Sequence, residues 1–372
     1  MSVQQLNPPS SSLEMYTQWI SEYFQLPDTR SVRWGHAVNS IDSLRALCAP
    51  LDLGVSQSGP ESPQEVAERS RLRREVHMLE VDVRVKQTSM DPDSDRQRTR
   101  EVVLAHDPDE PGTPFELWLG EFVSYLEKDS SLRLGLKLDF KQPDAILPCL
   151  EVLGMYTELL SSRCIPLWLN ADVETGYGGF SGATAATTTN QQYHSLVSFL
   201  STCADWVVHR GGGKFGGPQG PILSLGWRTR NPHRFSIIVR EVGKPTESRE
   251  SKFDEGDGSI VAPTKGTFPV VTVKEAPYSA TAVVGLLGAV FGKGSGAFEG
   301  YAPAHVTLAL RCAFISPSTE DLLNALSSLK LPRGAVSLTL WQNAGDVWDQ
   351  DALEQALRQF EAAGVDVFLD LD

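Results

Sequence analysis

Eight short apolar runs, each followed or preceded by a segment of helical periodicity, constrain the fold of this 372-residue chain more than any other feature. The runs lie at about 32–38, 78–85, 132–140, 166–173, 222–227, 305–314, 337–342 and 365–371, and helical patterns at 41–48, 115–126, 143–161, 191–203, 278–291, 318–329 and 347–363 separate most of them. Strands joined through helices pair in parallel, because a parallel connection needs a crossover of a dozen or more residues. Eight such units predict an α/β protein, a single (β/α)8 TIM-type barrel with insertions. A doubly wound open sheet competes, but it would more often begin with a Gly-rich first turn, which is absent here. Residues 11–26 form an amphipathic pattern, with Ser11 and Glu14 as a capping box and Tyr16, Trp19, Ile20, Tyr23 and Phe24 on one face. No helical pattern follows the eighth strand, so this helix is expected to cover that gap. The chain thus divides into a helical extension, 1–30, and a barrel, 31–372, interrupted at 231–275 by an inserted antiparallel pair. The extended segment 102–106 is the hairpin partner of the second strand.

The ends of these strands carry chemistry. Side chains alternate faces along a strand. In M-L-E-V-D-V-R-V, Glu80 and Asp82 therefore share a face, as do Lys137, Asp139 and Lys141 in L-G-L-K-L-D-F-K. Trp168, Asn170 and Asp172 share one in the fourth strand, Thr307, Ala309 and Arg311 in the sixth, Ser337, Thr339 and Trp341 in the seventh, and Asp366, Phe368, Asp370 and Asp372 in the eighth. Barrel interiors are normally filled by branched apolar side chains, so inward charge is costly unless paired or metal-bound. Glu80, Asp82 and Asp139 offer the oxygen ligands that Mg²⁺ prefers, with Ca²⁺ or Mn²⁺ as substitutes. Zinc is disfavoured, since no cysteine or histidine pair has ligand spacing. His36 and His106 end strands on either side of the carboxylates, where one could attack or take a proton and the other protonate a leaving oxygen. Lys141, and less directly Lys137, would neutralise phosphate oxygens.

Bulk properties exclude several classes. A net charge of −14 and a pI near 5.0 give no basic field for long nucleic acid. The first residues show neither a charged nor an apolar leader region, and no apolar run reaches the roughly 18 residues of a membrane helix, so a cytoplasmic protein is expected. Five scattered cysteines without a C-x-x-C pair fit reduced thiols. The Gly-rich run 210–221 lacks the G-x-x-x-x-G-K-[ST] spacing and enters a strand, on the barrel face opposite the site. Oligomeric state has no signature.

The motifs G-H-A-V-N-S at 35–40, L-E-V-D-V at 79–83 and L-D-F-K at 138–141 resemble the phosphatidylinositol-phospholipase-C-like phosphodiesterases, which include glycerophosphodiester phosphodiesterases and spider sphingomyelinase D. A closer resemblance is to the menorin family, through W-x-H-A-V-N-S, L-E-x-D, A-H, K-L-D-F-K, W-L-N-A-D, S-L-G-W and S-L-T-x-W at 34–40, 79–82, 105–106, 137–141, 168–172, 224–227 and 337–341. The resemblance implies a barrel phosphodiesterase with Mg²⁺ on Glu80, Asp82 and Asp139 and catalysis by His36 and His106. It also implies phosphate contact from Lys141 and a substrate-side aromatic at Trp341. Lys137, Asn39, Asn170, Asp172 and Arg311 complete the candidate substrate site. The expected substrate is a small lipid or glycerol phosphodiester, cleaved through a cyclic phosphate where a neighbouring hydroxyl allows it. A nucleotide or RNA-end phosphodiester is the first alternative, and a non-catalytic scaffold that kept the barrel is the second.

Overall fold

A computed structural model describes residues 15–48, 76–87, 100–173, 196–214, 220–226, 278–291, 305–332, 334–342, 346 and 348–371, together with the backbone of 236–241 and 267–272. In chain order the elements are α1 (Met15–Phe24), β1 (Trp34–Gly35), α2 (Ile41–Cys48), β2 (Met78–Gln87), β3 (Arg100–Leu104), β4 (Thr113–Pro114) and α3 (Phe115–Lys128). Then come β5 (Gly135–Phe140), α4 (Ile146–Gly154), α5 (Thr157–Ser162), β6 (Leu167–Asp172), α6 (Leu196–His209), β7 (Ile222–Gly226), β8 (Ser236–Glu241) and β9 (Thr267–Thr272). The chain finishes with α7 (Ala280–Phe291), β10 (Val306–Arg311), α8 (Ile315–Ser328), β11 (Val336–Trp341), α9 (Gln350–Ala362) and β12 (Asp366–Asp370).

Eight of these strands form a parallel sheet in the order β1-β2-β5-β6-β7-β10-β11-β12, the sequential order expected of a (β/α)8 chain. β2 is long enough to be shared. Its first residues pair with β1, and its last five pair antiparallel with β3, so a hairpin rises beyond the sheet. No ladder hydrogen bonds join β12 to β1 among the described residues, and side chains bridge that seam instead. Thr29 Oγ1, in the 3-10 turn before β1, donates to Val367 O at 2.9 Å, and His36 Nε2 lies 2.7 Å from Asp370 Oδ1.

The helix α1 lies across the end of the sheet where the strands begin. Tyr16, Trp19, Ile20, Tyr23 and Phe24 are buried, and the Tyr16 hydroxyl accepts from Trp168 Nε1 at 3.0 Å. The Tyr16 ring stacks on His305, with centroids 4.7 Å apart. Tyr23 OH donates to Leu134 O at 3.2 Å and Thr17 Oγ1 to Asp366 Oδ2 at 2.8 Å, the latter tying the helix to β12. The sequence predicts this helix over the gap left after the eighth strand; it lies over the strand starts and reaches β12 through Asp366. Ser11 and Glu14, the expected capping box, lie outside the described residues.

Several boundaries differ from the sequence expectation. The first strand is only two residues long, because Val32 closes a 3-10 turn and Ala37 takes a left-handed φ of 47°. The helix expected over 143–161 is a 3-10 turn at 143–145 followed by α4 and α5, which break apart at Met155 and Tyr156. The sixth strand stops at Arg311 and turns into a 3-10 helix at 312–314. Helix α6 runs on to His209, past the expected end at 203. β8 and β9 do form a separate antiparallel pair within the 231–275 insertion.

Candidate functional site

Register puts the charged side chains together. Glu80 pairs with Lys137 and Asp82 with Asp139 across β2 and β5, while Asp139 pairs with Asn170 of β6. Period-two alternation turns all of them to one face, at two levels along the strands. Side-chain oxygens of Glu80, Asp82 and Asp139 lie within 4.8 Å of one another. Asn39, in the turn after β1, donates from Nδ2 to Asp82 Oδ2 at 2.7 Å and accepts the Asp82 amide at Oδ1, 2.8 Å. Asn170 Nδ2 donates to Asp139 Oδ1 at 2.8 Å and accepts at its own Oδ1 from Ser224 Oγ at 2.6 Å. Both amides orient carboxylates, a supporting role beside the substrate contact expected of Asn39 and Asn170.

The two lysines differ by depth. Lys141, just past the end of β5, places Nζ 2.7 Å from Asp82 Oδ1 and pairs with Asp139, and it remains partly open to solvent. Lys137 lies lower, 6% exposed, with Nζ 3.3 Å from Glu80 Oε2, 3.4 Å from Asp370 Oδ2 and 5.2 Å from the centre of the Trp34 ring. The sequence predicts phosphate contact for this residue; the structure places its ammonium beside Glu80, Asp370 and the Trp34 ring. Burial disfavours the charged forms of both lysines, but the surrounding carboxylates outweigh it and hold both above the usual lysine range. Burial likewise works against the Asp139 carboxylate, yet Lys141 and Lys137 hold it below the usual carboxylate range.

His36 is clamped between carboxylates from both sides of the seam. Nδ1 is 2.9 Å from Glu80 Oε2 and Nε2 is 2.7 Å from Asp370 Oδ1. Partial burial opposes its charge, but the bonds and fields of Asp370 and Glu80 push it up to about 10. Two acceptors on two ring nitrogens describe an imidazolium. Asp370 was legible as an inward residue of the eighth strand, but only the meeting of the sheet's two ends reveals its partner.

His106 is brought to the same rim and not into the cluster. The Ala105 amide donates to Asp82 O at 3.0 Å, and Arg84 NH2 holds the His106 carbonyl at 2.6 Å. Its ring is exposed, with Nδ1 3.3 Å from Asp107 Oδ1 and no contact with the carboxylate cluster among the described residues. Further round the rim, Asp172 is exposed and folds over Gly226, where an added Cβ would fall 2.4 Å from its Oδ1. Arg311 pairs in register with Trp341, and Trp341 with Asp370. The Arg311 guanidinium is held by both oxygens of Asp346, with Nε 2.8 Å from Oδ2, and lies 5.9 Å from the Trp341 ring centre. Arg311 is thus neutralised by Asp346, which follows β11 with no motif or periodicity to single it out.

The donor set fits a hard divalent ion. Three carboxylates, one held ionised by its neighbours and two oriented by asparagines, offer oxygen ligands. Glu80, Asp82 and Asp139 would hold such an ion.

Comparisons with known proteins add the following. No curated protein matches the sequence. Among solved structures, a phosphoenolpyruvate phosphomutase from Streptomyces platensis subsp. rosaceus is 11% identical, with a TM-score of 0.36 over 95% of this chain and 79% of that one. A 3-keto-D-glucoside 4-epimerase from E. coli is 10% identical, with a TM-score of 0.31 over 69% of this chain and 78% of that one. A beta-mannanase from Streptomyces thermolilacinus is 12% identical, with a TM-score of 0.27 over 72% and 82%. Likeness at this level carries no argument about activity, and the fold rests on the strand order given above. No described helix is long and apolar enough to cross a membrane. Residues 62–204, the stretch that contains Glu80, Asp82, His106, Asp139 and Lys141, match the family model of the Menorin N-terminal domain, and this match supports the menorin family.

Proposed function

We propose that this centre belongs to a divalent-metal-dependent phosphodiesterase, acting on a small lipid or glycerol phosphodiester. The observation that carries the reading is the gathering of Glu80, Asp82 and Asp139 within 4.8 Å, bordered by Lys141 and His36. The charge balance supports it. Four carboxylates, Glu80, Asp82, Asp139 and Asp370, face three cations, Lys137, Lys141 and the His36 imidazolium, which leaves one negative charge in excess. A divalent ion reverses that to one positive charge, which a singly charged phosphodiester neutralises.

Mg²⁺, when bound, supplies a Lewis acid that gathers the phosphoryl oxygens. The chain's own groups supply the remainder. Lys141, the more exposed ammonium, screens a phosphate oxygen at the rim. His36 holds a proton on each nitrogen; with Glu80 engaged in holding a metal ion, the Nδ1 proton facing it would be the one given to the leaving oxygen, while Asp370 keeps the other. His106 accepts the proton of the attacking group at Nε2, with Asp107 beside Nδ1 keeping the other proton in place. Trp341 and Asp172 lie further along the rim, where the non-reacting part of a substrate would rest.

Phosphorus NMR tests this directly, with Mg²⁺ and a panel of lysolipids, glycerophosphodiesters and 2′,3′-cyclic nucleotides. A product resonance abolished by EDTA and by His36→Ala is the expected result. Turnover that survives His36→Ala would sink the assignment. Silence across the panel, with Mg²⁺ leaving the melting temperature unchanged, would favour a non-catalytic barrel.

A further inference from the structure

Two triads of potential metal ligands meet in this centre and share one residue. Glu80 belongs to the group Glu80–Asp82–Asp139 and equally to the group His36–Glu80–Asp370, and within each group the ligand atoms lie within 4.8 Å of one another. A carboxylate shared between two such sets is the usual bridge of a two-metal site, where the ions stand roughly 3.5–4 Å apart. The second triad nevertheless already contains a cation. Lys137 Nζ lies between Glu80 Oε2 and Asp370 Oδ2, at 3.3 and 3.4 Å, supported from below by the Trp34 ring at 5.2 Å. Its position on β5, in register with Glu80, fixes it there, and only 6% of the side chain reaches solvent.

We propose that Lys137 is a built-in counter-ion that takes the place of a second metal ion. The inference rests on reading Glu80–Asp82–Asp139 as a metal site. Lys137 is then a positioning residue. A fixed ammonium satisfies Glu80 and Asp370 from beneath: on Asp370 it takes Oδ2 and leaves Oδ1 to His36, on Glu80 it shares Oε2 with the imidazole, and the imidazole is held as a side chain and not drawn into a metal's ligand shell. A metal ion in the same position would compete for a ring nitrogen of His36 and would add two charges to a centre in which one exchangeable divalent ion already matches a phosphodiester. The lysine thereby sets both the number of exchangeable ions and the availability of the histidine.

Replacing the ammonium by a neutral chain of similar length should unmask the latent triad. Mn²⁺ binding to the purified full-length protein, followed by equilibrium dialysis and electron paramagnetic resonance, reads this without any substrate. Wild type should bind one Mn²⁺ with the hyperfine pattern of an isolated ion. Lys137→Met and Lys137→Gln should bind two, with the exchange-coupled signal of ions sharing a carboxylate. Lys137→Arg should stay at one, and adding Asp370→Asn to Lys137→Met should return the count to one. Wild type and both neutral variants all binding one isolated ion would overturn the proposal and leave the metal site itself standing. A coupled pair in the wild-type protein at saturating Mn²⁺ would overturn it even if the variants failed to fold. No Mn²⁺ bound to wild type would remove the metal reading and this inference together.

Discussion

The buried histidine beneath the site gives the sharpest stability prediction. His305 precedes β10 and is 2% exposed. Its Nδ1 lies 2.6 Å from the carbonyl of Gly334, so Nδ1 carries the proton, and Nε2 accepts from Ser337 Oγ at 2.8 Å. Tyr16 stacks on the ring, and no carboxylate pairs with it among the described residues. Burial therefore dominates and drives its pKa down from 6.5 to about 4, with the Gly334 carbonyl opposing only in part. The folded state resists a proton that the unfolded chain accepts. Stability is fully present above pH 6.5 and is lost as pH falls towards 4, where the loss is complete. At 1.36 kcal/mol per unit, a shift of this size corresponds to about 3 kcal/mol.

His305→Gln should remove that dependence. The neutral amide can still donate to Gly334 O, while loss of the stack on Tyr16 costs about 1 kcal/mol at neutral pH. Urea denaturation at constant ionic strength, from pH 7.5 to 4.5, should give a wild-type stability that falls faster than the variant's, the two curves crossing or converging in acid. Titration of carboxylates common to both proteins cancels in the difference. Parallel curves across the whole range would refute the reasoning, because they would mean His305 binds its proton equally well in both states.

Three further outcomes follow from the same geometry. In the metal-free protein the His36 imidazole should titrate near 10 by nitrogen-15 NMR, so that its contribution to stability is present below pH 6.5 and fades as pH rises through about 10; Asp370→Asn should lower that midpoint, and a wild-type midpoint near 6.5 would contradict the clamp. Asn170→Ala should weaken Mn²⁺ binding by roughly 10- to 100-fold while leaving the circular dichroism spectrum intact, since it removes the support of Asp139 and not a ligand; an unchanged affinity would argue that Asp139 needs no orientation. Asp346→Ala strands the Arg311 guanidinium beside Trp341 and should cost about 3 kcal/mol in chemical denaturation, an expectation that fails if the variant unfolds at the wild-type midpoint.

Much of this arrangement was legible because both periods in the chain are strong. In M-L-E-V-D-V-R-V, alternation alone puts Glu80 and Asp82 on one face, and K-L-D does the same for Lys137 and Asp139, so the carboxylate triad is visible in the sequence. What alternation cannot supply is depth and curvature. Lys137 and Lys141 share a face and a charge, yet four residues of rise put one beneath the carboxylates and the other at the rim. Asp370 becomes part of the site only because the sheet brings its first and last strands together, a contact between residues 334 positions apart in sequence. The short first strand escaped for a local reason: Val32, Val38 and the residues between look extended, but the left-handed Ala37 turns the chain so that His36 and Asn39 face β2. His106 was assigned from its place at a strand end, and its ring turns out to stand beside Asp107 and away from the triad.

The cost of burying so many charges is met by what lies directly below them. Trp34 packs edge-on against Trp168 at 5.0 Å, and Trp168 against Phe368 at 4.9 Å, forming an aromatic floor drawn from β1, β6 and β12. Lys137 rests on this floor, and on its other side Trp168 Nε1 donates to Tyr16, whose ring covers His305. Helix α1 thus closes the lower end of the interior with the same residue that anchors the floor. Without the floor, water would enter from beneath and screen the attractions that hold Lys137 between Glu80 and Asp370. Tyr16→Ala, placed far from every ligand, is therefore expected to loosen the site as well as the helix. It should weaken Mn²⁺ binding at a temperature where the variant is still folded. An affinity equal to that of wild type, with only the melting temperature lowered, would show that the floor supports the fold without shaping the centre above it.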